Sequence, residues 1–166
     1  YGLLGRGDEA ARAVEALTDA APDDAHFWLL RGRVVTATAG YAASIPSFER
    51  AVALKPAHGQ AWVYLGYALY RVGDYEAAVD SNARGMLVTP DSISLPYNRA
   101  CSLALLGRRD EALADLACAI ERFPAKRAEA RLDEDFTSLW EDPAFLALTQ
   151  EPSVARPAGS APPATP

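Results

Sequence analysis

The spacing of apolar residues along the chain is that of amphipathic helices. From residue 62 onward, Trp62, Leu65, Gly66 and Leu69 follow one another at i, i+3, i+4 and i+7, which places them on one face of a helix. The chain lacks a long alternating run of β-branched residues, so strands are not expected. The pattern therefore predicts an all-α protein whose helices each bury one apolar face.

The same marks return along the chain at a fixed interval of 34 residues. Proline keeps this step at Pro22, Pro56, Pro90 and Pro124, and tryptophan keeps it at Trp28 and Trp62. Small residues keep it at two further sets of positions: Gly5, Ala39, Gly73 and Gly107; and Ala10, Ser44, Ala78 and Ala112. Several classes of residue in phase at this period indicate stacked helical hairpins.

Each mark has a physical role in a hairpin. Gly73 follows the first helix, where the left-handed cap conformation favours glycine, and Asp74 can then cap the second helix. Pro90 stops the second helix because it has no N–H and clashes with the preceding turn. The first unit instead has Ala39–Gly40–Tyr41 at this point, so a looser turn is expected there.

The second unit resembles the tetratricopeptide repeat family through Trp62, Leu65–Gly66, Gly73–Asp74–Tyr75, Ala78 and Pro90. The resemblance implies a right-handed α-solenoid of stacked antiparallel helical hairpins. We place the three units at residues 25–58, 59–92 and 93–126. Residues 1–24 match the second-helix half of a leading repeat.

A solenoid needs a terminal element that covers its last apolar face, and residues 127–150 are expected to form capping helices. The ending is similar to one common in bacterial members of the family. We expect Phe136, Leu139 and Trp140, followed by Phe145, Leu146 and Leu148, to pack inward. The acids Asp133, Glu134 and Asp135 are expected to form a solvated turn, and residues 151–166 a disordered Pro/Ala-rich tail, with an extended polyproline ligand as the alternative.

Composition narrows the function classes. The formal net charge of −6, with arginines dispersed among acids, argues against nucleic acid, and no apolar run approaches the length of a membrane helix. Two cysteines without metal-ligand spacing favour a reducing, cytoplasmic location. His26 and His58 form no metal site, and no phosphate loop or nucleophile elbow occurs. We therefore expect no metal, no cofactor and no enzyme activity.

The resemblance implies that ligands lie along the concave side, which the first helix of each unit lines. The groove positions that we expect to bind a peptide are Arg33, Gln60, Val63, Tyr67, Tyr70, Arg71, Tyr97, Asn98 and Cys101. Tyrosines supply rigid area with a polar tip, and the two arginines can pair with carboxylates of a partner. The alternative is that the same tyrosines pack against the next unit.

The sequence therefore favours a non-catalytic module that binds a protein or peptide partner. One alternative is the regulatory part of a larger signalling enzyme, since the chain starts at Tyr1 and its single methionine is Met86. Another is a reactive thiol at Cys101, activated by Arg71. A homo-oligomer through the exposed half-repeat is also expected, with its apolar surface at Leu3, Leu4, Ala11 and Val14.

Overall fold

The computed structural model describes the backbone of residues 2–150 and the side chains of residues 7–150. Its α-helices are α1 (Gly2–Ala20), α2 (Ala25–Ala39), α3 (Tyr41–Leu54), α4 (Gly59–Arg71), α5 (Tyr75–Val88), α6 (Ser94–Leu105), α7 (Arg109–Arg122), α8 (Lys126–Leu132) and α9 (Pro143–Thr149). A 3₁₀ helix spans Glu134–Leu139. The all-α prediction is confirmed, and none of the described helices is long and apolar enough to cross a membrane.

The helices form a stack in which each packs on its neighbours in the chain. The hairpins α2/α3, α4/α5 and α6/α7 have the most extensive contacts, and α1/α2, α3/α4 and α5/α6 join one hairpin to the next. The first helices α4 and α6 also touch each other directly, and the 3₁₀ helix packs on α6. These first helices and the 3₁₀ helix therefore border a common surface.

The turn of the first hairpin is tight, so the expectation of a looser turn is wrong. Gly40 alone separates α2 from α3, and its N–H donates to the carbonyl oxygens of Val35 and Thr36. Its φ of 91° lies in the region that favours glycine. In the other two hairpins Gly73 and Gly107 have positive φ, one position earlier in the repeat. The first unit thus moves the turn glycine by one residue and joins its two helices through a shorter turn than the other hairpins have.

Close contact within the first hairpin depends on a glycine facing a large ring. A Cβ placed on Gly32 would lie 2.3 Å from the nearest ring atom of Phe48, far inside contact distance. The residues 34 positions further along are Gly66 and Asn82, and those of the third unit are Ala100 and Leu116. The small residue of α2, α4 or α6 thus faces a second-helix residue that changes from unit to unit.

The buried apolar residues form two clusters. The N-terminal cluster includes Leu29, Phe48, Trp62 and Leu65 and belongs to the first two hairpins. The C-terminal cluster joins the third hairpin to the cap, and its largest buried members include Leu103, Leu116, Ile120, Phe136 and Phe145. The capping segment is therefore part of the core of the last hairpin.

The cap differs from the sequence-based expectation at two residues. Phe136, Leu139 and Phe145 are buried, but Trp140 and Leu146 are 40% and 44% exposed, so the prediction that these two pack inward is wrong. The 3₁₀ helix has three residues per turn, and this changes which side chains share a face. Asp142 caps α9 by accepting hydrogen bonds from the N–H groups of Ala144 and Phe145.

The two ends of the chain bear on earlier expectations. Val14 is only 4% exposed because α2 covers α1, so it offers no surface for a second copy, and Ala11 is half-buried. The side chains of Leu3 and Leu4 lie outside the described residues. The expected disordered tail, residues 151–166, also lies outside them.

Candidate functional site

An open cavity of about 270 Å³ lies between α4, α6 and the start of the cap. One wall is aromatic, and a second carries carboxylates: its lining includes Tyr67, Tyr70 and Tyr97, and Glu129, Asp133 and Asp135. The tyrosines lie on α4 and α6 at helical spacing. The acids arrive with α8 and the 3₁₀ helix, because Phe136 must reach the core of the last hairpin.

Two tyrosine hydroxyls fix the two aspartates of the cavity. Tyr70 donates to Oδ2 of Asp135 at 2.7 Å, and Tyr97 donates to Oδ2 of Asp133 at 2.8 Å. Burial, and then the hydrogen bond to its aspartate, raises the pKa of each tyrosine well above its usual range. Both hydroxyls therefore stay protonated, as donors to the carboxylates. The expectation that Asp133 and Asp135 form a solvated turn is wrong.

Cys101 lies beneath this pair and is 5% exposed. Its thiol lies 3.8 Å from Oδ2 of Asp133, to which it can donate. Burial, followed by the charges of Asp133 and Asp135, raises the pKa of the thiol far above its ordinary value. The alternative of a reactive thiolate is wrong, because carboxylates rather than Arg71 surround the sulfur.

Cys101, Asp133 and Asp135 are the described residues that could hold a metal ion. One ligand atom from each lies within 4.8 Å of the others. Hydrogen bonds from Tyr70, Tyr97 and the thiol itself already occupy oxygen atoms of both aspartates. The expectation of no metal remains a prediction.

One cation lies at the edge of the cavity. The ammonium group of Lys126 is 4.0 Å from the centre of the Tyr97 ring and 2.7 Å from Oε1 of Glu129. An ammonium at this distance from an aromatic face is attracted to the ring's negative potential. The cavity therefore contains one example of a cation held by an aromatic ring and a carboxylate.

A second cavity of about 200 Å³ lies on the other side of Tyr67. Its lining consists of Arg33, Thr36, Tyr41, Phe48, Tyr64 and Tyr67. The guanidinium carbon of Arg33 is 5.6 Å from the centre of the Tyr64 ring. Tyr67, which is 37% exposed, belongs to both cavities and forms the wall between them.

Arg71 lies beside this shared wall. Its Nη1 donates to the hydroxyls of Tyr41 and Tyr67, each at 3.1 Å, and its guanidinium carbon is 4.5 Å from the centre of the Tyr41 ring. The hydrogen bond that Arg71 donates to Tyr67 raises the pKa of the guanidinium further, so Arg71 remains charged. Its side chain is exposed, which leaves its other nitrogens open to a partner.

The structure brings most of the predicted groove residues together. The first cavity is lined by Tyr67, Tyr70, Tyr97, Asn98 and Cys101, and the second by Arg33. Arg71 lies beside the wall between them, where it donates to Tyr41 and Tyr67. Gln60 and Val63 line neither of these two cavities. Tyr97 and Cys101 are each only 5% exposed, so they form the floor rather than the rim.

Sequence reasoning missed Tyr41, Lys126, Glu129, Asp133 and Asp135 as site residues. Tyr41 had a signal, since it stands 34 residues before Tyr75 and opens a second helix as that residue does. The aspartates had a weaker one. They flank Glu134 directly before Phe136, and any fold that buries Phe136 carries them toward α6.

Comparison with protein families identifies this architecture. A tetratricopeptide repeat model matches residues 4–38 and again residues 37–85. Protein FlbA of Caulobacter vibrioides is 34% identical over 87 residues, which are 52% of this chain and 15% of that protein. The chain thus spans a small part of the length of this curated relative.

Solved structures share the fold at low sequence identity. A structure of MamA superposes with a TM-score of 0.76 at 19% identity. The superposed region covers 87% of this chain and 83% of the MamA chain. YrrB, described as a TPR protein with an unusual peptide-binding site, has a TM-score of 0.70 at 19% identity, with 89% and 80% covered. The matches do not favour the alternative of a regulatory segment of a signalling enzyme.

Proposed function

Since the chain belongs to the tetratricopeptide repeat family, we propose that it is a non-catalytic module that binds a peptide segment of a partner protein on its concave face. The observation that carries this proposal is the pair of cavities divided by Tyr67. An extended peptide lying over Tyr67 can place one side chain in each cavity, as alternate side chains of a strand-like ligand require.

The chemistry of the dividing wall supports this function. Tyr67 and Tyr70 stack with their ring centres 6.0 Å apart, and Tyr41 meets Tyr67 edge to face at 5.6 Å. Clustered aromatic rings next to an arginine are the composition of binding hot spots. Arg71 is already oriented by two hydroxyls, so its own side chain loses less conformational entropy when a partner carboxylate or carbonyl pairs with it.

The proposal includes the class of partner and the location. The partner is a protein or peptide; nucleic acid is disfavoured by the net charge of −6, and the location is cytoplasmic. Pairing with a second copy through α1 remains a proposal. Because Val14 is buried, such a contact would have to use another part of the α1 surface. Catalysis is not part of the proposal: burial beside two carboxylates disfavours the thiolate of Cys101, and tyrosine hydroxyls already donate to Asp133 and Asp135.

Selection of random short peptides displayed on phage tests the function. We expect the native chain to enrich peptides that the Tyr67→Ala/Arg71→Glu variant does not retain. The double variant removes the shared wall and reverses the nearby charge, while exposed positions tolerate substitution. Circular dichroism must show unchanged helix content. A Phe123→Ala variant, which alters an exposed ring outside both cavities, is the matched control and should bind as the native chain does.

Equal retention by the native chain and the double variant would overturn the proposal. It would mean that the peptides bind elsewhere, and that the tyrosines of α4 only pack against neighbouring helices.

A further inference from the structure

We propose that the cavity next to the cap holds a cationic side chain, Lys or Arg, of the bound peptide. This inference rests on the proposed function and names the chemistry that the partner must present. Three features of the cavity favour this ligand: its charge balance, one open carboxylate oxygen and its aromatic wall.

The cavity has an excess of negative charge. Its lining contains three carboxylates, Glu129, Asp133 and Asp135, and one cationic group, Lys126, which pairs with Glu129. Among the described residues, no Lys, Arg or His nitrogen forms an ion pair with Asp133 or Asp135. Their hydrogen bonds come from neutral groups: two tyrosine hydroxyls, the thiol and a backbone N–H.

Partly buried carboxylates are normally paired, because leaving water without an opposite charge is costly. The neutral donors around Asp133 and Asp135 orient the two carboxylates without cancelling their charge. A cation that enters the cavity supplies the missing charge. An acidic side chain would meet the same two carboxylates and be repelled, which excludes it.

Asp135 provides the direct contact. Its Oδ2 accepts the hydroxyl of Tyr70, while Oδ1 receives no hydrogen bond from the described residues. Both oxygens of Asp133 are used, Oδ1 by the N–H of Asp135 and Oδ2 by Tyr97. Asp135 Oδ1 is therefore the acceptor available to an incoming ammonium or guanidinium group.

The aromatic wall suits the same ligand. The stacked rings of Tyr67 and Tyr70 line the cavity beside Asp135, and an arginine or lysine stem can lie against them while its charged end reaches the carboxylate. Lys126 already makes such a contact with Tyr97 in the same cavity. The other end of the groove has Arg33 and Arg71, so the concave face is cationic at one end and anionic at the cap.

The test titrates the full chain with three blocked amino acids: the N-acetyl methylamides of arginine, glutamate and norleucine. Amide chemical shifts are followed by NMR. The arginine derivative should cause saturable shifts at Tyr97 and at residues 133–135. The glutamate and norleucine derivatives should not. Asp135→Asn, which keeps the size of the side chain, should weaken arginine binding at least several-fold. Glu121→Gln removes one exposed charge outside the cavity and should leave binding unchanged.

The inference is overturned if no probe gives saturable shifts there, if all three shift the same amides, or if Asp135→Asn binds arginine as tightly as the native chain does.

Phage-selected peptides give a second measurement. Replacing their Lys or Arg by norleucine should weaken binding to the native chain but not to Asp135→Asn. Peptides that depend on Tyr67 yet need no cation would refute this inference and leave the proposed function intact. If the arginine derivative binds but no peptide is selected, the cation site is supported and the proposed peptide-binding function is refuted.

Discussion

At the scale of single residues, Asn82 is the clearest conflict between side chain and site. It is fully buried in α5, and neither its Oδ1 nor its Nδ2 has a hydrogen-bond partner in the described part of the chain. It packs against Gly66, which leaves room for the amide but offers it no partner. The third unit places Leu116 at the same repeat position, facing Ala100, where it is completely buried.

We predict that Asn82→Leu raises the free energy of unfolding by about 1–3 kcal/mol, because it removes an unsatisfied amide without emptying the site. Urea denaturation measures the change. The converse variant, Leu116→Asn, is the control and should lower the free energy of unfolding. A loss of stability in Asn82→Leu would contradict this prediction, because it would mean that the amide forms hydrogen bonds in the folded protein.

Single residues also mark where sequence reasoning stopped. The 34-residue step assigned Tyr67, Tyr70 and Arg33 to the groove, and the structure places all three beside cavities, since their positions depend only on the repeat. It could not foresee that Tyr97 and Cys101 would be covered, because the acids that cover them come from the cap, which does not repeat. Asp133 and Asp135 were read as solvated for the same reason.

At the scale of elements, the contact of α2 with α3 depends on Gly32 and Phe48. We predict that Gly32→Ala lowers the free energy of unfolding by about 1–2 kcal/mol, because overpacking against the ring outweighs the higher helix propensity of alanine. Adding Phe48→Leu recreates the Ala100 and Leu116 pair of the third unit. The double variant should be less destabilised than the sum of the single ones, as a double-mutant cycle measures. Simple additivity would contradict the contact.

The cap is fastened to α7 by charge. Arg109 donates to both carboxylate oxygens of Asp142, the N-cap of α9. The hydrogen bond from Arg109, helped by the backbone N–H groups of Ala144 and Phe145, lowers the pKa of Asp142 from 3.8 to about 2. A lowered pKa in the folded state stabilises the protein above the unfolded value, and this contribution is lost as the pH falls toward the folded value.

We therefore predict that part of the fall in melting temperature between pH 3.8 and about 2 disappears in Asp142→Asn. Asparagine still caps the helix, so the variant removes the charge and keeps the N-cap. Melting curves recorded across this range measure the effect. Glu121→Gln is the control and should keep the native pH dependence. An unchanged slope in Asp142→Asn would exclude the pair with Arg109 as its source.

At the scale of the molecule, the two apolar clusters divide the stack into halves. A repeat array gains stability from neighbouring units, so a core lesion acts first on its own half. The repeat period predicted the stack of hairpins well, because each apolar stripe belongs to the unit that repeats. In the cap, the prediction of its inner face holds for Phe136, Leu139 and Phe145 and is wrong for Trp140 and Leu146, which are exposed.

We predict that Phe136→Ala costs about 3–5 kcal/mol and speeds amide hydrogen exchange mainly in α6 to α9. Phe48→Ala is the matched lesion in the N-terminal cluster and should speed exchange mainly in α2 to α5. Hydrogen exchange read by mass spectrometry distinguishes the halves. Equal acceleration throughout by both variants would show that the stack unfolds as one unit.

The two repeat tryptophans, Trp28 and Trp62, are intrinsic fluorescent probes of the stack. Trp28 and Trp62 each donate an indole N–H to the carbonyl oxygen of the proline six residues earlier, Pro22 and Pro56, at 2.7 and 2.8 Å. The third unit has Pro96 at this position, and the remaining tryptophan, Trp140, lies half-exposed in the cap. Each indole thus marks a different junction, so intrinsic fluorescence of single-tryptophan variants can follow the opening of each junction without an added dye.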